Sequence, residues 1–388
     1  MDTLQQIIAK KDRYIILLLF ILGFLLRVSG IFNIVLAGDN LLHWKIAGLI
    51  AENGVFPLLG PKASVNSGFN LGPAYYYILA IPYWIGQGNF KIAVVFFSIL
   101  NSFSIPLLYY VSKRWFSKIK SLQITALFTF SAYLISVQNF PWNPYILPFF
   151  IILSLFFINK INEKKYLYFS LLALSYSICL QSHATAVFLL PVFIYLIPYK
   201  KIPLKHYLTA AIVFLIANFP WIYVNFTSGF SQLYAALSIF EAGKTEVCSF
   251  SSWLLNHGNG ESCFFYFRNT LFSFRFITMS ILDTRNIIVV LISIFLIALY
   301  FFKSKMKEKK FLMVWLFVPM FLFLFYSSFI YLHYFLILIP LPFYLFVVLL
   351  SKLERFKKRS ALLINLIIIS VILLNIVQYL YSLRLLRG

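Results

Sequence analysis

Only 11 of the 388 residues are aspartate or glutamate and five are histidine. The side chains able to move a proton can therefore be weighed one at a time. Asp39 stands in GDNLLHWKIAGLIAENGVFP, just after the first long apolar run. A carboxylate there has two natural tasks: it caps the helix that follows, or it takes a proton from a hydroxyl as a general base. His183 in LQSHATA and His333 and Tyr334 in YLHYF can each make hydrogen bonds to a ligand. Arg268 and Arg275, seven apart in FFYFRNTLFSFRF, share a helical face, where a solvated or lipid-headgroup role competes with an anion site. With Arg285 and Lys62 they complete the cations suited to a phosphate. Asn143 in FPWNP either contacts a ligand or caps the next helix. Of Tyr75, Tyr76 and Tyr77, at least two suit an aromatic belt, leaving Tyr75 as the candidate to pack on a ligand.

The elements that must position these residues are membrane helices. The chain is 62% hydrophobic and 11% charged, whereas soluble domains carry about 25% charged residues. A water-soluble fold is excluded. Repeated apolar runs of about 20 residues indicate an all-α polytopic membrane protein. The net charge of +22 does not mark a nucleic-acid partner, because the basic residues fall in short clusters between apolar runs. The clusters are Lys10, Lys11, Arg13; Lys113, Arg114, Lys118, Lys120; Lys160, Lys164, Lys165; Lys200, Lys201, Lys205; Lys303 through Lys310; and Lys352 through Arg359. Such clusters mark cytoplasmic loops.

Placing all six inside requires an even number of crossings between consecutive clusters. Eleven spans satisfy this: 14–36, 92–111, 121–138, 144–158, 166–181, 184–198, 207–224, 286–302, 311–328, 334–350 and 361–382. The N-terminus is then cytoplasmic and the first span a retained signal anchor. Pro73 to Ile85 is too short to cross and becomes an interfacial helix outside, with proline at its first turn. Residues 38–54 form a second interfacial helix, with Leu42, Ile46, Leu49 and Ile50 on one face and Gly54 as its stop. The chain reads as one membrane domain, 1–388, with two outer segments large enough for chemistry, 37–91 and 225–285. Arg27, inside the first span, either pairs with carbonyls or faces a cavity and an anion. Cys248 and Cys263 flank a polar outer stretch and are expected to form a disulfide; Cys179 is a packing residue.

Taken in order, the Asp after the first span, LLGP, NLGPAYYYILAIP, FPWNP, LQSHATA and YLHYFLILIPLP resemble the type C glycosyltransferase superfamily. The nearest likeness is to bacterial proteins similar to protein O-mannosyltransferases and lipid A aminoarabinose transferases. The resemblance covers roughly residues 10–225 and the YLHYF region. It implies transfer of a sugar from a polyprenyl-phosphate donor to a lipid, glycan or protein acceptor on the outer face of the bacterial plasma membrane. The sequence departs from that pattern where many relatives follow the first-loop Asp with Glu: here the residue is Asn40. Trp142, Asn143 and Pro144 stand where one branch carries an acidic metal motif. Divalent ions favour several carboxylates, so no metal and no other cofactor is expected. Glu241, Glu246, Glu261 and Asp283 are the acids from which a metal site with Asp39 would have to be built.

A phosphate leaving group needs cationic or hydrogen-bonding stabilisation, and the acceptor hydroxyl needs a base. Asp39 on the face opposite the phosphate gives one-step inversion. Two other classes fit the composition. A polysaccharide polymerase or ligase would work through the Arg and His of 225–285, and a lipid or sugar transporter would need polar residues at the midplane. The topology has a direct check. Single cysteines at Ser117 and Asn162 should resist an impermeant thiol reagent in intact cells while those at Ser67 and Gly258 react. Labelling at Ser117 would overturn the assignment of sides.

Overall fold

A computed structural model describes residues 2–32, 34–63, 68–238, 265–284, 286–303, 308–324, 330–352 and 360–385. In chain order its helices are α1 Asp2–Val28, α2 Gly38–Asn53, α3 Ala74–Gly86, α4 Phe90–Ser102, α5 Ser104–Ser112, α6 Lys118–Phe130 and α7 Ala132–Gln138. Then come α8 Leu147–Asn162, α9 Tyr168–Ser182, α10 Leu190–Leu196, α11 Leu204–Thr227, α12 Ser231–Ser238, α13 Phe265–Leu282, α14 Ile287–Lys303, α15 Lys309–Phe323, α16 Leu341–Ser351 and α17 Ser360–Leu385. Among the described residues the only β pairing is a single bridge between Lys62 and Asn70.

Among the described residues five segments are long and apolar enough to cross a membrane: Asp12–Phe32, Phe90–Ser112, Asn143–Asn162, Leu204–Thr227 and Ala361–Leu383. Three more pass only as bent pairs: α6 with α7 at 58°, the described end of α13 with α14 at 101°, and the turn Leu332–Leu338 with α16 at 64°. The chain is thus a multi-pass helical membrane protein with five to eight spans by length and composition, where the sequence alone gives eleven. The difference has a physical cause. The expected spans at 166–181 and 311–328 fold as α9 and α15 of 15 residues each, and a 15-residue helix is about 22 Å long against a hydrocarbon core of about 30 Å. The span at 184–198 is likewise divided between a 3₁₀ turn, Ala184–Leu189, and α10. Rows of exposed apolar side chains on α1, α11 and α17, among them Leu18, Ile216, Phe219 and Leu373, are too large a surface to leave in water and mark the lipid-facing side.

Helix breaks inside the bundle are made good by side chains. Between α6 and α7 the backbone N–H of Ala132 donates to Asn375 Oδ1 at 2.9 Å, and Asn375 Nδ2 donates to the Ile281 carbonyl at 2.7 Å. Ser131 Oγ accepts from the Leu134 N–H and donates to the Ser280 carbonyl. Arg27, fully buried, donates to Gln138 Oε1 at 2.7 Å and to the carbonyls of Gly23 and Thr129. Of its two sequence readings, carbonyl pairing is the one realised. Backbone groups freed in apolar surroundings need such partners.

Residues 57–63 and 68–73 form a strap over one end of these helices. Gly60 N–H donates to the Leu71 carbonyl at 2.7 Å, Leu71 N–H to Pro61 at 2.8 Å, and Ala63 N–H to Phe69 at 3.1 Å. Tyr77 Oη ties the strap to α3 through the Pro57 carbonyl, and Trp221 Nε1 ties it to α11 through the Asn70 carbonyl. A Cβ added at Gly60 would lie 2.0 Å from the Gly72 carbonyl oxygen. That neighbour is backbone and cannot swing aside. Gly60→Ala should therefore lower stability by about 1–3 kcal/mol, the usual cost of overpacking, read as a fall in the unfolding midpoint in detergent; an unchanged midpoint would show that the strap is not closely packed.

Candidate functional site

The strap, α2 and the segments that follow α7, α9 and α15 enclose a cavity of about 940 Å³. Asp39, Lys62, Asn143, His183, His333 and Tyr334 all line it, as do His43, Tyr76, Trp142 and Tyr331. Six of the nine site residues expected from sequence thus converge, from stretches nearly 300 positions apart. Among the described residues Asp39 is the only carboxylate in the lining and Lys62 the only Lys or Arg.

Asp39 sits in the first turn of α2 but does not cap it. The N-cap is Ala37, with no side-chain capping bond, and Asp39 is exposed to the cavity. The carboxylate is therefore available to a ligand. Gly54 ends α2 as expected, at φ 66°, with its N–H on the Ile50 and Leu49 carbonyls. The helix is seated by His43, Trp44, Ala47 and Ile50, which are buried, while Leu42, Ile46 and Leu49 wall the cavity. His43, one turn after Asp39, escaped the sequence reading although the i, i+4 spacing in DNLLH placed it beside the aspartate. Its ring meets those of Tyr75 and Tyr76 edge-on at 5.5 and 5.4 Å, and its Nδ1 has no partner among the described residues. Burial pushes the His43 pKa down to about 4, with the Asp39 charge partly opposing. Burial and the same carboxylate push Tyr76 up to about 12.

The opposite wall is built by two histidines. His183 ends α9 in extended conformation. Its Nδ1 lies 2.8 Å from Thr185 Oγ1, which donates to the Tyr334 carbonyl at 3.1 Å. Its Nε2 is buried without a partner among the described residues, so this nitrogen is the ring atom whose hydrogen bond is unused. His333 stacks on Tyr331 at 5.6 Å and meets Trp142 at 4.8 Å and His183 at 5.4 Å. Asn143 caps neither neighbouring helix; its Nδ2 donates to the Ser182 carbonyl at 2.8 Å and joins the FPWNP turn to LQSHA. Gln181 completes that junction: its Oε1 accepts the Ala74 N–H at the start of α3, and its Nε2 donates to the Ala217 carbonyl of α11.

Three expected residues are placed elsewhere. Tyr75 is fully buried behind His43 and donates to the Pro141 carbonyl at 2.8 Å; it packs the wall and does not line the cavity, because its ring points into the α2–α3–α4 contact. Arg275 lies on α13 with its guanidinium 5.6 Å from the Phe272 ring centre, away from the cavity, because α13 packs among the C-terminal helices. Arg268 falls in α13, but its side chain is outside the described residues, as are Arg285 and the Cys248–Cys263 pair. Among the described residues no arginine lines the cavity. Among the described residues no three histidines, cysteines or acids are grouped as a metal would require.

A second cavity of about 360 Å³ adjoins the first, and its walls are largely apolar: Phe69, Leu71, Leu180, Val187, Phe188 and Leu237 contribute. Ala63, Asn70, His183 and Tyr334 line both cavities. Neither the family models nor the curated proteins contain a match to this chain.

The His43 environment sets a pH dependence. A histidine whose folded pKa is depressed stabilises the fold fully above its unfolded value of about 6.5, and that contribution is lost as pH falls toward about 4. Wild type should lose on the order of 2–3 kcal/mol more than His43→Gln between pH 7 and pH 4. Parallel stability curves for the two proteins would contradict this placement.

Proposed function

We propose that the chain is a membrane glycosyltransferase that moves a sugar from a polyprenyl-phosphate donor to an acceptor hydroxyl. The observation that carries this reading is the join between the two cavities at His183 and Tyr334. A polyprenyl-phosphate sugar has one apolar arm and one polar head, with the phosphate between them. The apolar cavity accepts the first prenyl units, the larger cavity accepts sugar and acceptor, and the phosphate falls at the histidines. Trp142, Tyr331 and Tyr76 give the sugar aromatic faces.

In the reaction, the acceptor oxygen attacks the anomeric carbon and the bond from that carbon to the phosphate oxygen breaks. The phosphate leaves with the bonding electron pair. The hydroxyl proton passes to Asp39, the one carboxylate among the described residues of the cavity. His183 donates to the leaving phosphate through Nε2, in the tautomer whose unprotonated Nδ1 accepts from Thr185, the Oγ1 hydroxyl turning its proton from the Tyr334 carbonyl to the ring nitrogen. Lys62 supplies charge from the strap. The anomeric centre inverts. The basic loops lie in the cytoplasm and the cavity opens outside. We assign eleven crossings, of which those containing α9, α10 and α15 have the short helices.

Two substitutions separate base from binding. Asn keeps the size of Asp and the helix start at Asp39 but cannot take a proton. Asp39→Asn should reduce transfer about 100 to 10,000-fold while leaving donor binding intact. Ala184→Trp, which fills the apolar cavity, should raise KM for the donor and change kcat little. Wild-type turnover by Asp39→Asn would reject the mechanism and favour a site in 225–285.

A further inference from the structure

A groove of about 460 Å³ runs between α1 and α5 at the other end of the bundle. Arg13, Tyr109 and Lys113 stand at its mouth, and Ile16, Leu17, Phe20, Phe103 and Pro106 form its walls. Phe20 and Phe103, with ring centres 5.2 Å apart, close its far end. The groove's one acid, Asp12, is already engaged: Lys118 bridges it at 2.7 Å and Tyr109 Oη donates to it at 3.0 Å. Lys118 thereby offsets Asp12. Arg13 and Lys113, both exposed, leave the mouth cationic; Lys113 lies over the Tyr109 ring at 5.4 Å.

Among the described residues no protein covers the walls. Leu17, Phe103 and Tyr110 are about half exposed, at 52%, 48% and 53%. They belong to Asp12–Phe32 and Phe90–Ser112, two of the segments apolar enough to cross a membrane. A ligand here must therefore be anionic at one end and apolar at the other, and must be reachable from within the bilayer. We infer that the groove binds an anionic phospholipid, its phosphate between Arg13 and Lys113 and one acyl chain against Leu17, Phe103 and Pro106. A zwitterionic lipid gains little from the two cations, because its ammonium competes with them for the phosphate. This inference does not rest on the glycosyl-transfer reading.

Native mass spectrometry of the full chain, titrated with phosphatidylglycerol or phosphatidylcholine, tests the site. Phosphatidylglycerol should bind the wild type more tightly, and Arg13→Gln/Lys113→Gln should weaken it about 30-fold, each cation near an anionic headgroup contributing roughly fivefold. Lys113→Arg should retain binding. Lys164→Gln/Lys165→Gln, which removes the same charge elsewhere, should change it less than twofold. Leu17→Trp should displace the lipid with the charges intact, and it carries the test should the double variant fail to fold. Equal binding of the two lipids would overturn the proposal. So would equal losses in both double variants, or unchanged binding in Leu17→Trp.

Discussion

Everything in this fold depends on satisfying backbone groups where helices break inside an apolar bundle. An unpartnered N–H or C=O there costs several kcal/mol, so a break persists only where side chains replace the lost helical bonds. The clearest case is Ser131, between α6 and α7, where Asn375 and Ser131 itself supply partners and Arg27 ties the Thr129 carbonyl to Gln138. Because the 58° bend is held in this way, α7 delivers the FPWNP turn to the larger cavity. The same logic applies at His183, where the chain leaves α9 and Thr185 engages both the imidazole and the Tyr334 carbonyl.

These breaks gather polar groups at one end of the bundle. Gln181 holds the start of α3, Asn143 holds Ser182, and Trp221 holds the strap. Each bond joins two of the short sequence stretches. The cavity is consequently a junction of loops supported by long helices, and its polar residues need not sit at the membrane midplane, where their desolvation would be most costly. Asp39 escapes burial because the helix start beside it is capped by no side chain, while His43 one turn later is taken into the wall.

Much of this was legible in sequence. The Asp39 position, the stop at Gly54, the short helix after Pro73 and the grouping of LQSHA with YLHYF follow from residue types and order. Helix length within each apolar run was not legible, because hydropathy registers apolar length and not whether a run is divided by a 3₁₀ turn, as at Ala184–Leu189. Arg275 was misplaced for a similar reason: helical spacing fixes its face but not what that face meets. Tyr75 and Tyr76 show the same limit at closest range, since adjacent tyrosines divide between wall and cavity. His43 is legible from its i, i+4 spacing to Asp39, whereas its burial against Tyr75 and Tyr76 is set by the packing of α3.

The central claim is that one amphipathic donor occupies both cavities at once, with His183 at their join. Photocrosslinking with a short polyprenyl phosphate carrying a diazirine on its second prenyl unit tests it most directly. Adducts are predicted on Leu180, Val187, Phe188 or Leu237, with protection by unlabelled polyprenyl phosphate and loss of labelling in His183→Ala. Adducts confined to the lipid-facing rows of α1, α11 and α17, unaffected by competitor, would contradict the account.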